Sequence, residues 1–181
     1  MNLTGFGNQM IKPKSAKIFV DMDGVLSDFN HGIEAYTHHE VVSYDQIDEE
    51  LWLELHDSKD FFSTLPIMND AKILWNYLTA AFPKENISIL SSTGSNNPSN
   101  VRWQKIKWIK NNIDKDVWVN TVQRSADKKN FVDQYKDSIL IDDRMKSIKP
   151  WRDAGGVGIL HSTAADTIDQ IDGLFLLSFF S

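Results

Sequence analysis

The sequence predicts an α/β protein with a central parallel sheet covered by helices on both faces and a small helical insertion after the first strand. Three observations carry this. Short apolar runs such as Ile18-Phe19-Val20, Ile87-Ser88-Ile89-Leu90 and Ile139-Leu140-Ile141 read as buried strands rich in β-branched residues. From Asn69 onward such runs alternate with segments of helical periodicity, which is the pattern of a parallel sheet. Between the first strand and this regular part, residues 28–66 carry helical patterning and no convincing strand.

In chain order, residues 1–15 hold Gly5, Gly7 and Pro13 with little periodicity and are expected to form a loose extension. A strand follows at 17–20. Helices are expected over Asp28 to His39, with Phe29, Ile33 and Tyr36 on one face, and from about Asp45 to His56, with Ile47, Leu51 and Leu55 aligned. Phe61, Phe62 and Leu65 precede the breaker Pro66. Residues 28–66 therefore form a cap-like insertion, and 16–27 with 67–181 form the core. Asn69 or Asp70 can cap a helix that runs to Phe82 and stops at Pro83. Next come a strand at 87–90, a polar turn Ser91-Ser92-Thr93-Gly94, and a helix over 100–112 with Trp103, Ile106, Ile109 and Ile113 inward. A strand at 117–119, a short helix near Asp127 and a strand at 138–141 follow. A helix or turn through Ile148 and Trp151 leads to a strand at 157–160. Ser162 or Thr163 caps a last helix to about Ile171.

The 181 residues suit one domain able to bury a core, with ordinary hydrophobic and charged content. The chain has no cysteine, which excludes disulfides, thiolate catalysis and cysteine-ligated zinc and fits a cytoplasmic setting. The start lacks the apolar run of a signal peptide, and the apolar stretch Leu174 to Phe180 is too short to span a bilayer. That stretch is expected to pack on the core or on a second subunit, so a homodimer is possible. A net charge of −6 disfavours a general nucleic-acid binder but not a small phosphorylated substrate. Arg102, Lys105, Lys107 and Lys110 are expected on the solvated face of their helix. His38, His39 and His56 lack metal-ligand spacing and are read as surface or insertion residues.

The chemistry converges on strand ends. The first strand ends in Asp21-Met22-Asp23-Gly24, the second in Ser91, and a later one in Asp142-Asp143. A calcium loop is excluded because its spaced ligands and closing Glu are missing. In a parallel sheet these strand ends share one edge, where such sheets place their ligands. Several carboxylates in one crevice require a hard divalent cation, for which Mg²⁺ beside a phosphate is the usual choice.

With these motifs in order, the chain resembles the haloacid dehalogenase superfamily of phosphatases. Its first motif is matched by Asp21, Asp23 and Gly24, its second by Ser91, its lysine by Lys128 (or else Lys129), and its acidic pair by Asp142 and Asp143. Within that superfamily the likeness is to the 5′(3′)-deoxyribonucleotidase-like branch. It rests on Asp-Met-Asp-Gly-Val-Leu-Ser-Asp-Phe at 21–29, Phe-Phe-x-x-Leu-Pro-Ile at 61–67, Lys107-Trp108-Ile109, Asp127-Lys128 and Leu-Ile-Asp-Asp at 140–143. Ser91-Ser92, where that branch often has Thr-Ser, and the short helical cap are departures. The resemblance implies a three-layer Rossmann-like fold and a Mg²⁺-dependent phosphomonoesterase acting on nucleoside monophosphates. Asp21 would be the nucleophile and Asp23 the acid and base. Ser91, Ser92 and Lys128 would bind phosphate, and Asp21, Asp23, Asp142 and Asp143 would surround the metal. Phe29, Trp52, Phe61 and Phe62 are candidates to stack on a base. The competing readings are a polynucleotide 3′-phosphatase and a non-catalytic binding protein on the same scaffold.

Overall fold

The computed structural model describes residues 15–38, 47–132, 134–135 and 137–176. Most of the expected N-terminal extension, the residues around His39 to Asp45 and the tail beyond Leu176 lie outside the described residues. Five strands form one wholly parallel sheet: β1 (Lys17–Val20), β2 (Ile87–Ser92), β3 (Trp118–Val122), β4 (Ser138–Asp142) and β5 (Val157–Leu160), in the order β3-β2-β1-β4-β5. The central strand β1 places Val20 level with Ile89 on one side and Ile141 on the other. Its next residue, Asp21, therefore emerges beside Asp142 at the carboxyl edge. The chain leaves β1 toward β2 and later returns to β4 on the opposite side, so a topological switch point opens there.

Alternate residues of the strands serve two cores. Ile18, Val20, Ile89, Ile139 and Ile141 join a large cluster with the helices α3 (Ala71–Ala81), α4 (Pro98–Asn112) and α6 (Ala164–Leu176). Phe19, Leu90 and Leu140 face the other way onto Ile148 and Trp151 of α5 (Met145–Asp153). On that side the Phe19 ring meets Phe131 and Trp151 edge-on, each at 5.4 Å. This is the expected three-layer α/β arrangement. Among the described residues no helix is long and apolar enough to cross a membrane.

The insertion contains α1 (Phe29–Thr37), α2 (Glu49–Asp57) and a 3₁₀ turn at Phe61–Ser63. Asp28 caps α1 by accepting the His31 N–H, and Asp48 caps α2 by accepting the Leu51 N–H. The α2 cap explains why the helix starts at Glu49 rather than near Asp45. The two ends of the insertion lie side by side: Asp28 N–H donates to the Pro66 carbonyl and Met68 N–H to the Leu26 carbonyl.

Three local expectations need correction. Asp70 makes no side-chain cap on α3; its carboxylate instead accepts the Ala164 N–H at 2.6 Å, at the start of α6. Trp103 is not inward: it is 57% exposed, with the Lys107 ammonium 5.2 Å from its ring centroid. The buried residues of α4 are Val101, Gln104, Lys105, Trp108 and Ile109, so Lys105 does not belong to a solvated face.

Candidate active site

Asp21, held by the end of β1, accepts the Met22 N–H at 2.8 Å on one carboxylate oxygen. Its other oxygen stands 3.0 Å from the Lys128 ammonium, which also donates to Asp142 at 2.6 Å. Lys128 comes from the 3₁₀ segment Ser125–Phe131 and is wholly buried, whereas Lys129 is exposed. The choice between the two lysines therefore falls on Lys128. Burial pushes the Asp21 carboxyl up, but the charges of Lys128 and Lys105 and the bonds from Lys128 and Met22 outweigh it. The group titrates below the usual carboxylate range. Burial pushes Lys128 down, and Asp21 and Asp142 reverse this, so it stays charged.

The loop after Asp21 turns tightly. The Met22 carbonyl accepts the N–H groups of Leu26 and Ser27, and Gly24 N–H donates to the Ser27 carbonyl. Gly24 has φ +78°, and a Cβ there would lie 2.1 Å from a carboxylate oxygen of Asp143. Only glycine meets both demands. Asp23 is oriented by the Ser27 hydroxyl at 3.1 Å and by the Lys105 ammonium at 2.6 Å. Lys105 also donates to the Ser91 hydroxyl at 2.9 Å and to the Ser92 carbonyl at 2.7 Å, so all three of its protons are placed. The sequence reading missed this lysine. Its only signal was a helical position three residues before Trp108.

Asp142 and Asp143 complete the acidic side. Carboxylate oxygens of Asp21, Asp142 and Asp143 lie within 4.8 Å of one another. Burial and then the Asp21 charge raise Asp142, while burial and the charges of Asp21 and Asp142 lift Asp143 to about 8. One oxygen of Asp143 is buried without a hydrogen-bond partner among the described residues. Lys128 reaches Asp21 and Asp142, and that unpartnered oxygen is left over. Hard oxygen donors with one buried and unsatisfied fit a divalent cation.

Asp21, Asp23 and Lys105 line a crevice of about 260 Å³. Its core side is lined by Asp21, Asp23, Ser92, Lys105, Arg124 and Arg144; the insertion contributes Phe29, Trp52, His56 and Phe62. Phe29 and Trp52 are stacked at 5.7 Å and 20°. Phe61 does not line this crevice. It is buried in the insertion, edge-on to Phe29, Tyr36 and Phe62.

A row of side chains on α4 fastens the insertion. Asn100 donates to the carbonyls of His56 and Ser58, both at 2.8 Å. Gln104 donates to the Ser58 carbonyl at 2.7 Å and accepts the Phe62 N–H at 2.9 Å. The Trp108 indole donates to the Leu65 carbonyl at 2.6 Å. Residues 100, 104 and 108 are one helical turn apart and share a face.

No protein-family model and no curated protein matches this sequence. Solved structures share the fold. A haloacid dehalogenase-like family hydrolase from Streptococcus pneumoniae is similar with a TM-score of 0.56 at 14% identity, over 93% of this chain and 99% of that one. A superfamily hydrolase from Ehrlichia chaffeensis is similar at 0.52 and 13% identity, over 87% and 96% of the two chains. A family hydrolase from Deinococcus radiodurans with bound phosphate and sodium is similar at 0.51 and 12% identity, over 86% and 88%. The fold is thus the one found in haloacid dehalogenase superfamily hydrolases.

Proposed function

We propose that the protein is a Mg²⁺-dependent phosphomonoesterase that acts through an aspartyl-phosphate and takes deoxynucleoside monophosphates. The observation that carries this reading is the pair of differently held aspartates at the end of β1: Asp21 against Lys128, Asp23 against Lys105. Asp21 is kept ionised and is the nucleophile. Its oxygen attacks phosphorus, the bond from phosphorus to the ester oxygen breaks, and Asp23, which enters the step as the neutral acid once the incoming phosphate has taken over its Lys105 contact, gives that oxygen a proton. Asp23 then takes a proton from water as the water attacks phosphorus, which releases inorganic phosphate and restores Asp21. Lys128 and Lys105 offset the charge that gathers as a carboxylate meets a phosphate. Because all three protons of Lys105 are engaged, an arriving phosphate replaces one of those contacts. The hydroxyl of Ser91, beside Lys105, and the backbone N–H of Ser92 would hold phosphate oxygens. A divalent cation held by Asp21, Asp142 and Asp143, with Asp23 nearby, would supply Lewis-acid polarisation of the phosphoryl group.

The nucleotide reading is supported by Trp52, half-buried in the crevice wall and backed by the buried Phe29 and Phe62, since such a ring stacks on planar bases. The insertion lies over the crevice and favours a mononucleotide over a duplex end. The test is hydrolysis of p-nitrophenyl phosphate and of deoxynucleoside monophosphates by wild type and Asp21→Asn. The variant keeps the side-chain volume and the Met22 contact but loses the nucleophile. Turnover by the variant at near wild-type rates sinks the covalent mechanism.

A further inference from the structure

We propose that His56 reads the leaving group, presenting its Nε2–H in the crevice as a donor to an acceptor atom on the alcohol portion of the phosphate ester. This rests on the phosphomonoesterase reading above. His56 is in the last turn of α2, is 7% exposed, and lines the crevice beside the rings of Trp52 and Phe62, at 5.5 and 5.7 Å between centroids. Its ring also lies against Gly94, in the loop after the serines of β2. A Cβ at Gly94, where φ is +70°, would stand 2.5 Å from His56 Cε1. The His56 carbonyl is tied to Asn100 on α4. Ring and backbone are both fixed, so any hydrogen bond it makes is aimed.

Its two nitrogens are not equivalent. Nδ1 is buried with no partner among the described residues. Burial, and after it the positive charge of Lys105, hold the imidazole below its ordinary value and hence neutral at pH 7. A neutral imidazole has one N–H and one lone pair. Burying an unpaired acceptor is less rare than burying an unpaired N–H. The proton therefore resides on Nε2, and the orphaned lone pair is at Nδ1.

A donor set among aromatic rings recognises a planar group that stacks and also carries an acceptor, such as a ring nitrogen or carbonyl of a heterocycle. It gives no advantage to a plain aryl or alkyl phosphate. Sites built to hydrogen-bond a substrate discriminate strongly against analogues that lack the partner.

The experiment measures kcat/KM with Mg²⁺ for the best-used deoxynucleoside 5′-monophosphate and for phenyl phosphate, in wild type, His56→Phe and His56→Gln. Only the ratio of the two is read, so a loss of folded enzyme cancels. The ratio should fall about tenfold in His56→Phe, which keeps the stacking ring and loses the donor. His56→Gln, which keeps an N–H, should recover most of it. A ratio within about twofold of wild type in His56→Phe overturns this inference alone. A wild type that hydrolyses neither ester overturns it together with the phosphomonoesterase reading.

Discussion

The Lys105 ammonium lies 2.6 Å from the carboxylate of Asp23, at the centre of a crevice where the lysine side chain is 1% exposed. An ammonium this deeply placed is tolerated because its three protons meet a carboxylate, a hydroxyl and a carbonyl. Replacing it by methionine keeps most of the length and removes the charge, leaving Asp23 held by Ser27 alone among the described residues. Lys105→Met should lower kcat/KM about 10²-fold, the scale of losing one preorganised charge contact. Lys105→Arg should not restore it, since the wider fork does not fit a site closed around a lysine. A Lys105→Met enzyme within about threefold of wild type would assign the lysine to folding alone.

Asp21, Asp142 and Asp143 crowd three carboxylates within 4.8 Å. A cation that binds there in the native state and not in the unfolded chain stabilises the fold by mass action, by about 2.7 kcal/mol at a hundredfold excess over Kd, and so raises the melting temperature. Thermal melts with and without Mg²⁺ should show the rise, and Asp142→Ala should remove most of it. The same Mg²⁺ shift in that variant would refute the ligand set.

Gly24→Ala combines a left-handed backbone angle with a direct collision against Asp143. The angle alone costs about 1–2 kcal/mol. Displacing Asp143 should also weaken the Mg²⁺-induced stabilisation. Calorimetry of the variant should show a lower melting temperature and a smaller response to Mg²⁺. A normal response would mean that the position of Asp143 does not matter for the ion.

His161 is buried with Nδ1 bonded to Thr167 at 2.8 Å and Nε2 without a partner among the described residues. Burial lowers its titration, against weaker opposing effects of Asp70 and Asp166. The unfolded chain then binds more protons than the folded one below about pH 6.5, so this histidine's contribution falls as the pH drops through that range. Denaturant melts at pH 7 and pH 5 should show a larger loss for wild type than for His161→Leu. Equal losses would place the pH sensitivity elsewhere.

What could be read from the sequence divides along physical lines. Asp21, Ser91 and Asp142 were legible because each ends an apolar strand, and parallel pairing brings such ends to one edge. Lys128 was legible only through resemblance, since nothing in its flanking residues marks it as buried. Lys105 and His56 were not legible: a buried, fully bonded lysine and a surface lysine look alike in a helical pattern. The face of α4 was misread for a related reason. Apolar periodicity pointed to Trp103 and Ile106, but the helix is covered on two sides, and one cover is the stretch from the end of α2 to Leu65. Its backbone carbonyls require donors, so that face carries Asn100, Gln104 and the indole N–H of Trp108. Strand β3 runs on to Val122 for a similar reason. Asn120 and Thr121 pair with β2 although their polarity hides the strand.

Gln104 and Lys105 are neighbours in the chain, one holding the insertion and the other holding Asp23. Under the proposed function, selectivity and reactivity are therefore not modular in this protein. A chimaera that receives a foreign insertion but keeps its own α4 would inherit mismatched amide partners, and any shift of the helix to accommodate them would carry Lys105 with it. Transplanting a new specificity requires the insertion and α4 to move as one cassette.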